Sequence, residues 1–158
     1  MPDRPMDGHV RLLGGLARFW GAIDGNLDAW IEDIHSNGGA AKIQSHLPAS
    51  LDRKLLYLKT ALGDGLMLSE HHDEAARLIT EINRLKMFRH TLIHGFIVEV
   101  RDDGRTIVDH SRVRGATLIR SRSTYTWTQM MRHYARTDQL QRDLWRFLTE
   151  EYFAQAHG

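Results

Sequence analysis

The predicted secondary structure changes from helix to strand within Thr91–His110, "TLIHGFIVEVRDDGRTIVDH". Before Gly95, apolar residues recur with the 3.6-residue period of a helix, whereas "FIVEV" and "RTIVDH" after it alternate with the period of a β-strand. The intervening "DDG" is a short loop of the kind that joins paired strands. The stretch therefore predicts a long helix that ends at Gly95 and passes directly into an antiparallel hairpin.

Helices are predicted on both sides of this hairpin, because apolar residues recur there at helical spacing. The predicted elements are helices at about residues 10–35, 51–62, 70–94 and 128–154, and strands at about 96–101, 105–110 and 116–125. Ser50 and Ser69 are predicted to cap the second and third helices, and Thr126 or Thr128 the last one. The expected fold is mainly α: one domain, residues 1–158, in which a helical bundle carries a small antiparallel sheet before the C-terminal helix.

The composition excludes several classes of protein. With 158 residues, 42% hydrophobic and 26% charged, the chain is expected to form one soluble globular domain. Cysteine is absent, which excludes disulfides, cysteine nucleophiles and thiolate metal sites. The N-terminal "MPDRPMDGHV" lacks the apolar region of a signal peptide, and no apolar run approaches the roughly 20 residues that span a bilayer. We expect a cytoplasmic protein.

Basic residues are concentrated in the second half of the chain. Between Arg84 and Arg146 there are 13 basic and 6 acidic residues, although the net charge of the whole chain is only +1. Such an asymmetry is typical of a polyanion-binding site, or of two oppositely charged surfaces that pair between subunits. Arginines that only solvate helix and strand faces would give the same pattern.

The helix end itself carries a cluster of polar side chains, "RHTLIHG", Arg89 to Gly95. On a helix, residues four apart are offset by about 40° and residues five apart by about 140°. His90 and His94 therefore share a face, whereas Arg89 and His94 diverge. Arg89 and His94 meet at one ligand only if the helix unwinds at Gly95, or if a second copy of the helix crosses the first.

This motif resembles that of a known superfamily. Arg89, a polar residue at His90, three further positions and His94 give the pattern R-(N/D/H)-x-x-x-H near the end of a long helix. The pattern is similar to that of the HEPN superfamily of nucleotide-binding helical domains, and the similarity covers about Val10 to Gly95 plus the last helix. Many HEPN proteins are metal-independent endoribonucleases. The resemblance implies a homodimer in which both motifs form one composite RNA-cleaving cleft without a cofactor.

The resemblance and the chemistry of the side chains together suggest a role for each polar residue. Arg89 and His94 are the implied catalytic pair, and His90 is expected to orient or polarise them. Lys86 and Arg84 are candidates for phosphate contacts. Histidine serves as base or acid near neutral pH, and arginine binds phosphate through two parallel hydrogen bonds. These groups suffice for cleavage that leaves a 2′,3′-cyclic phosphate, without a metal.

The biological setting is also implied by the resemblance. HEPN endoribonucleases occur in toxin–antitoxin, abortive-infection and CRISPR-associated systems, so the implied partners are RNA and an antitoxin or another defence protein. HEPN toxins paired with nucleotidyltransferase antitoxins usually carry H-x-Y, in which the tyrosine is modified. This chain has His94-Gly95-Phe96 at that position. Control by that modification is therefore not expected.

Other interpretations remain open at this stage. Arg89 and His94 can simply relieve the dipole of a helix C-terminus. A HEPN-type module can also dimerise or bind nucleotides or RNA without catalysis. His90 and His94 have metal-ligand spacing, but no third ligand is evident. The stretch "RSRSTYTW", residues 120–127, contains Arg120, Arg122, Tyr125 and Trp127 and fits either a nucleic-acid contact or a strand with solvated arginines.

Overall fold

The computed structural model describes residues 5–37, 45–65, 69–114 and 116–156. In chain order the elements are α1 (Pro5–Asn37), α2 (Leu51–Gly63), a 3₁₀ turn (Ser69–His71), α3 (His72–His94), β1 (Phe96–Val100), β2 (Arg105–Arg114), β3 (Thr117–Thr126), α4 (Trp127–Arg146), a π-helical segment (Phe147–Tyr152) and α5 (Phe153–Ala156). The prediction of a mainly helical protein with a small antiparallel sheet before the last helix is confirmed.

The chain divides into two compact units. The sheet unit comprises residues 1–20 and 85–138, and the helical unit comprises residues 21–84 and 139–158. Each boundary falls inside a helix and not in a linker, because α1, α3 and α4 all contribute to both units. The expectation of one domain stays a prediction, and the two units are described separately below.

The sheet unit contains the antiparallel order β1-β2-β3. β1 pairs with β2 from Thr106 to Asp109, where Asp109 faces Phe96, and a bulge at Val98 shifts the register. β3 pairs with the whole of β2, from Arg105 to Arg114. In the part of the chain that the structure describes, β2 beyond Asp109 therefore has β3 as its neighbour on one side only.

The core of the sheet unit lies between one face of the sheet and three helices. Its buried members come from α1, α3, β2 and α4, and they are Leu12, Leu16, Phe88, Leu92, Val108 and Met130. Thr106 lies two residues before Val108, and its hydroxyl is hydrogen-bonded to the ring of the buried His9, with 2.7 Å between Nε2 and Oγ1. Because alternate residues of a strand share a face, the side of β2 that carries Thr106 and Val108 packs on the helices.

Local signals fix the ends of these elements. Thr126 Oγ1 accepts a hydrogen bond from the Gln129 amide at 3.2 Å, and Gln129 Oε1 accepts one from the Thr126 amide at 2.8 Å. This reciprocal capping box starts α4 and confirms Thr126 as its N-cap. Ser50 caps α2 as predicted, since its side chain accepts from the Arg53 amide. In the hairpin loop, Gly104 has a φ of 77°, which glycine adopts without strain.

Three predicted boundaries differ from the structure. β2 runs to Arg114 instead of ending near residue 110, because its last residues pair with the first half of β3. α1 begins at Pro5 and not near residue 10, and proline suits a first turn because its missing amide proton has no helical acceptor there. The third change is that the last helix is not continuous to about residue 154.

The last helix is interrupted by the π-helical segment Phe147–Tyr152. In an α-helix, residues five apart diverge by about 140°, whereas the wider π turn brings them toward one side. Phe147 and Tyr152 are both buried, and the Tyr152 hydroxyl donates to Asp33 Oδ2 at 2.9 Å. Burial and this hydrogen bond raise the pKa of Tyr152. The apolar spacing in the sequence does not distinguish such a segment from a continued α-helix.

In the helical unit, a buried lysine joins α1 to α2. Lys54 is 3% exposed, and its Nζ lies 2.9 Å from Asp24 Oδ1 and 2.6 Å from Asp28 Oδ1. Burial alone would lower the pKa of Lys54, but the hydrogen bonds to Asp28 and Asp24 outweigh it and raise the pKa. The ammonium group is therefore charged in the folded protein and bridges two carboxylates.

We expect Lys54→Met to lower the free energy of unfolding by about 1–2 kcal/mol, because two half-exposed aspartates one turn apart lose their shared counter-ion. Urea denaturation at pH 7 measures this, with the exposed Lys59→Met on the same helix as the control. Since the folded pKa is raised, the contribution of Lys54 is present below pH 10.5 and is lost as the pH rises through that folded pKa. Equal stability of the two variants would contradict a stabilising role.

Candidate functional site

The motif lies where α3 turns into β1 with a single residue between them. Gly95 makes this junction possible, because a Cβ atom there would overlap the Thr91 carbonyl oxygen and lie 2.6 Å from Val108 Cγ1. Among the described residues, only Gly65 and Gly104 have a positive φ. Gly95 is therefore required by close packing and not by a left-handed backbone.

Three histidine rings meet beside this junction. The ring centroid of His90 lies 5.4 Å from that of His94 and 6.2 Å from that of His110. The expectation that His90 and His94 share a helix face is confirmed. His110 comes from β2, on the same side of the strand as Thr106 and Val108, and joins the pair because this side packs on the helices.

His94 and His110 line an open cavity of about 520 Å³. The α3–β1 junction contributes His94 and Phe96, and each of the two neighbouring strands contributes three consecutive residues, Asp109–Ser111 from β2 and Arg120–Arg122 from β3. These two strand segments are direct cross-strand partners. The cavity therefore lies where β2 has passed the start of β1 and its edge is open.

Within the cavity, one acidic side chain is already neutralised. Arg122 donates from Nε and Nη2 to the two carboxylate oxygens of Asp109, at 2.6 and 2.8 Å. The hydrogen bonds from Arg122 hold the pKa of Asp109 below its usual value, and Asp109 in turn raises the pKa of Arg122. This pair carries no net charge near neutral pH.

The remaining cation of the cavity is Arg120, which is exposed. It forms no ion pair with any carboxylate in the described ranges. His110 is half-buried, and its Nδ1 makes no hydrogen bond within the same part of the chain. The cavity thus combines one uncompensated guanidinium with two imidazoles and the hydroxyls of Ser111 and Ser121, a donor set that suits a phosphate group.

The other predicted site residues lie elsewhere. The guanidinium of Arg89 lies 5.5 Å from the ring centroid of Trp20, and its buried Nε makes no hydrogen bond to a described residue. Arg89 is not among the residues that line the cavity, as its angular offset from His94 predicts. Lys86 is half-buried in the sheet unit, and Arg84 is an exposed residue of the helical unit whose Nη1 lies 3.7 Å from Glu81 Oε2.

The sequence-based prediction missed His110 and gave Arg120 no defined role. One signal was present: "DHS", residues 109–111, and "RSR", residues 120–122, have no apolar residue on either strand face. A strand segment that is polar on both faces extends past the core. The cross-strand register that brings the two segments together is not contained in that pattern.

Neither a metal site nor a membrane-spanning helix is found in the described part of the chain. No group of three or more histidine, aspartate or glutamate side chains is arranged to hold a metal ion among the residues described. Within the same ranges, no helix is both long and apolar enough to cross a membrane. No family model matches the sequence, and no curated protein or solved structure is significantly similar to it.

Proposed function

We propose that the chain is a metal-independent endoribonuclease of the HEPN type, in which His94 transfers a proton during RNA cleavage. The observation that supports this most is the position of His94, the histidine that ends the motif, in an open cavity with a second histidine and an uncompensated arginine. A phosphodiester brought to this cavity meets both a proton-transfer group and a cation.

Arg89 is proposed to act in the active site of a second copy of the chain. Within its own chain it lies over Trp20 and has no carboxylate partner among the described residues. An arginine that is partly buried without a counter-ion is well suited to bind an added anion. In the proposed homodimer, Arg89 of one copy acts in the site of the other, with His90 orienting His94 and with Lys86 and Arg84 as further phosphate contacts.

The biological setting is inferred from the same resemblance. We propose that the enzyme acts on RNA in the cytoplasm, in a toxin–antitoxin or phage-defence system, with an antitoxin or another defence protein as its partner. No membrane is part of this proposal, and no cofactor is needed for the chemistry of the named side chains.

A binding module without catalysis is the second candidate. It is favoured by Phe96, which is 74% exposed in the cavity wall, where an apolar ring gains nothing from solvent. Stacking of a nucleobase on an aromatic ring contributes about 1–3 kcal/mol per base to binding, whichever base is stacked. Phe96 together with Arg120 would then hold RNA by one base and one phosphate, with no bond broken.

The two candidates differ in a direct assay. Purified protein is incubated with total cellular RNA in EDTA, and the ends of the products are analysed. The endoribonuclease is expected to release 2′,3′-cyclic phosphate and 5′-hydroxyl ends. Binding of RNA with no new ends would exclude the enzyme and support the binding module.

The composite site is tested by mixing two inactive variants. In a heterodimer of Arg89→Gln and His94→Gln, one of the two sites has an intact Arg89 and an intact His94 if they act across the dimer. We therefore expect co-refolding of the two variants to restore cleavage. If each variant is inactive alone and the mixture also stays inactive, Arg89 does not act on the His94 of a second copy.

A further inference from the structure

We propose that the hairpin supplies a second proton-transfer histidine, His110, and a phosphate-binding arginine, Arg120, so that a single chain holds a complete histidine pair. This inference rests on the proposed function for its chemistry. It differs from the motif-based site, in which every catalytic group comes from α3. Here β2 supplies one of the two proton-transfer histidines, and β3 supplies the arginine that binds phosphate.

The position of His110 follows from the register of the sheet. β1 stops pairing at Asp109, so the next residue of β2 is the first with no β1 neighbour in the described chain. His110 lies at this opening, with its ring against His90 of α3 and in the wall of the same cavity as His94. Two imidazoles that open into one cavity satisfy the need for a base and an acid at one phosphodiester.

The charge in the cavity points to Arg120 as the phosphate ligand. Arg122 is committed to Asp109 through two hydrogen bonds, whereas Arg120 is paired with no carboxylate among the described residues. Arg120 faces Ser111 across the strands, and His110 faces Ser121. Arg120 and Ser111 share one face of the sheet, His110 and Ser121 share the other, and all four residues line the cavity. A non-bridging phosphate oxygen at Arg120 would therefore find the Ser111 hydroxyl of the neighbouring strand as a further donor.

The reaction balances without any further reactant. The unprotonated histidine takes the proton of the ribose 2′-hydroxyl, and the 2′-oxygen forms a bond to phosphorus. The bond from phosphorus to the 5′-oxygen breaks, and the protonated histidine gives its proton to that oxygen. The products are a 2′,3′-cyclic phosphate and a 5′-hydroxyl, and the two histidines have exchanged protonation states.

The first test is the pH profile of kcat/KM for a short RNA in EDTA. Wild-type protein is expected to give a bell shape, because its two limbs report one base and one acid. His110→Gln is expected to lower the maximum by about 10²–10⁴-fold and to remove one limb. The groups that surround His110 and shape these limbs are His90, His94 and the charged residues Asp109, Arg120 and Arg122.

The control for this test is His72→Gln, an exposed histidine in the first turn of α3. It is expected to keep both limbs and the wild-type rate. A His110→Gln variant that keeps both limbs overturns the role of His110. Circular dichroism and thermal unfolding of each variant show whether the sheet is intact.

The second test separates phosphate binding from catalysis. It uses no His110 variant, so it stays informative even if those variants do not fold. The probe is a fluorescein-labelled 2′-O-methyl RNA oligonucleotide, which lacks the attacking hydroxyl and is therefore bound but not cut. Arg120→Gln is expected to raise Kd about tenfold and to reduce the slope of log Kd against log salt by about 0.7, the value for one phosphate contact. The matched control is Arg132→Gln, an exposed arginine on α4 of the same unit.

The third test asks whether the two histidines act within one chain. Co-refolding of His94→Gln with His110→Gln is expected to restore no cleavage, since no chain in the mixture has both histidines. Recovery of cleavage would overturn the single-chain pair and place the two histidines in different copies.

The outcomes separate this inference from the proposed function. If wild-type protein cleaves RNA but Arg120→Gln binds the probe as wild type does, the Arg120 site fails and the endoribonuclease stands. If wild-type protein does not cleave RNA, the proposed function fails together with the role of His110. In that case a selective loss of probe binding in Arg120→Gln still establishes the phosphate site, and unchanged binding removes it.

Discussion

His94→Gln is expected to lower kcat/KM for RNA cleavage by about 10²–10⁴-fold, the usual contribution of a positioned acid or base. Glutamine keeps a polar side chain of similar reach but neither takes up nor releases a proton near neutral pH. The His94 side chain is exposed at the end of α3, so its replacement removes no buried packing. The loss should therefore appear in the rate and not in the unfolding temperature.

The comparison that makes this result specific is between the histidines of one helix. His72→Gln alters an exposed histidine at the other end of α3 and is expected to leave the rate unchanged. His90→Gln removes a ring whose centroid lies 5.4 Å from that of His94 and 6.2 Å from that of His110. It is expected to lower the rate less than His94→Gln if His90 only orients its neighbours. Full activity of His94→Gln in EDTA would exclude His94 from the reaction.

Much of the fold was predictable from the sequence because the signals are local. The change of period at Gly95 predicted the end of α3 and the start of the hairpin, and both are confirmed. The side chains of Thr126 and Gln129 satisfy each other's backbone amides, so three intervening peptide units suffice to predict the start of α4. The shared face of His90 and His94 depends only on the helical repeat.

The cavity was not predictable in the same way, because it depends on register. His110 meets His90 only because Asp109 pairs with Phe96 and no earlier or later residue does. A shift by one residue would move His110 to the opposite face of the sheet. The bulge at Val98, which sets this register, has no recognisable signal in "FIVEV".

A count of charged residues does not show which arginine of the cavity is available to a ligand. Asp109 and the two arginines of "RSR" are all within the basic half of the chain, and their number alone does not tell which cation is available. Arg122 is the cross-strand partner of Asp109, and the two side chains neutralise each other, whereas Arg120 faces Ser111. Arg120 and Arg122 share a strand face, so the cross-strand register, and not the alternation of side chains, decides which arginine a phosphate would meet.

Gly95→Ala is expected to lower the free energy of unfolding by about 3 kcal/mol, at the upper end of the cost of overpacking. The new methyl group would overlap the Thr91 carbonyl oxygen and lie 2.6 Å from Val108 Cγ1. The carbonyl belongs to the last turn of α3, so relief requires the backbone at the α3–β1 junction to move. Phe96 follows Gly95 directly and pairs with Asp109 of β2, so the same movement is expected to shift His110 relative to His94 and to reduce any cleavage activity.

Gly14→Ala is the matched control, since a Cβ atom on that helical residue meets nothing within 4 Å. It is expected to stabilise the protein by about 0.5–1 kcal/mol, because alanine loses less backbone freedom on folding than glycine does. Urea denaturation of both variants measures the contrast. Equal stability of Gly95→Ala and wild type would show that the junction accommodates a side chain.

A double-mutant cycle with Val108→Ala separates the two contacts of the added methyl group. Val108→Ala alone opens space in the core of the sheet unit and destabilises it. In the Gly95→Ala background the same change also removes Cγ1 from the new methyl group, so the combined loss should be smaller than the sum of the two single losses. The overlap with Thr91 persists in the double variant, because no side-chain deletion relieves a backbone carbonyl. If the double variant stays much less stable than Val108→Ala alone, the need for glycine at position 95 comes chiefly from the Thr91 carbonyl in the last turn of α3.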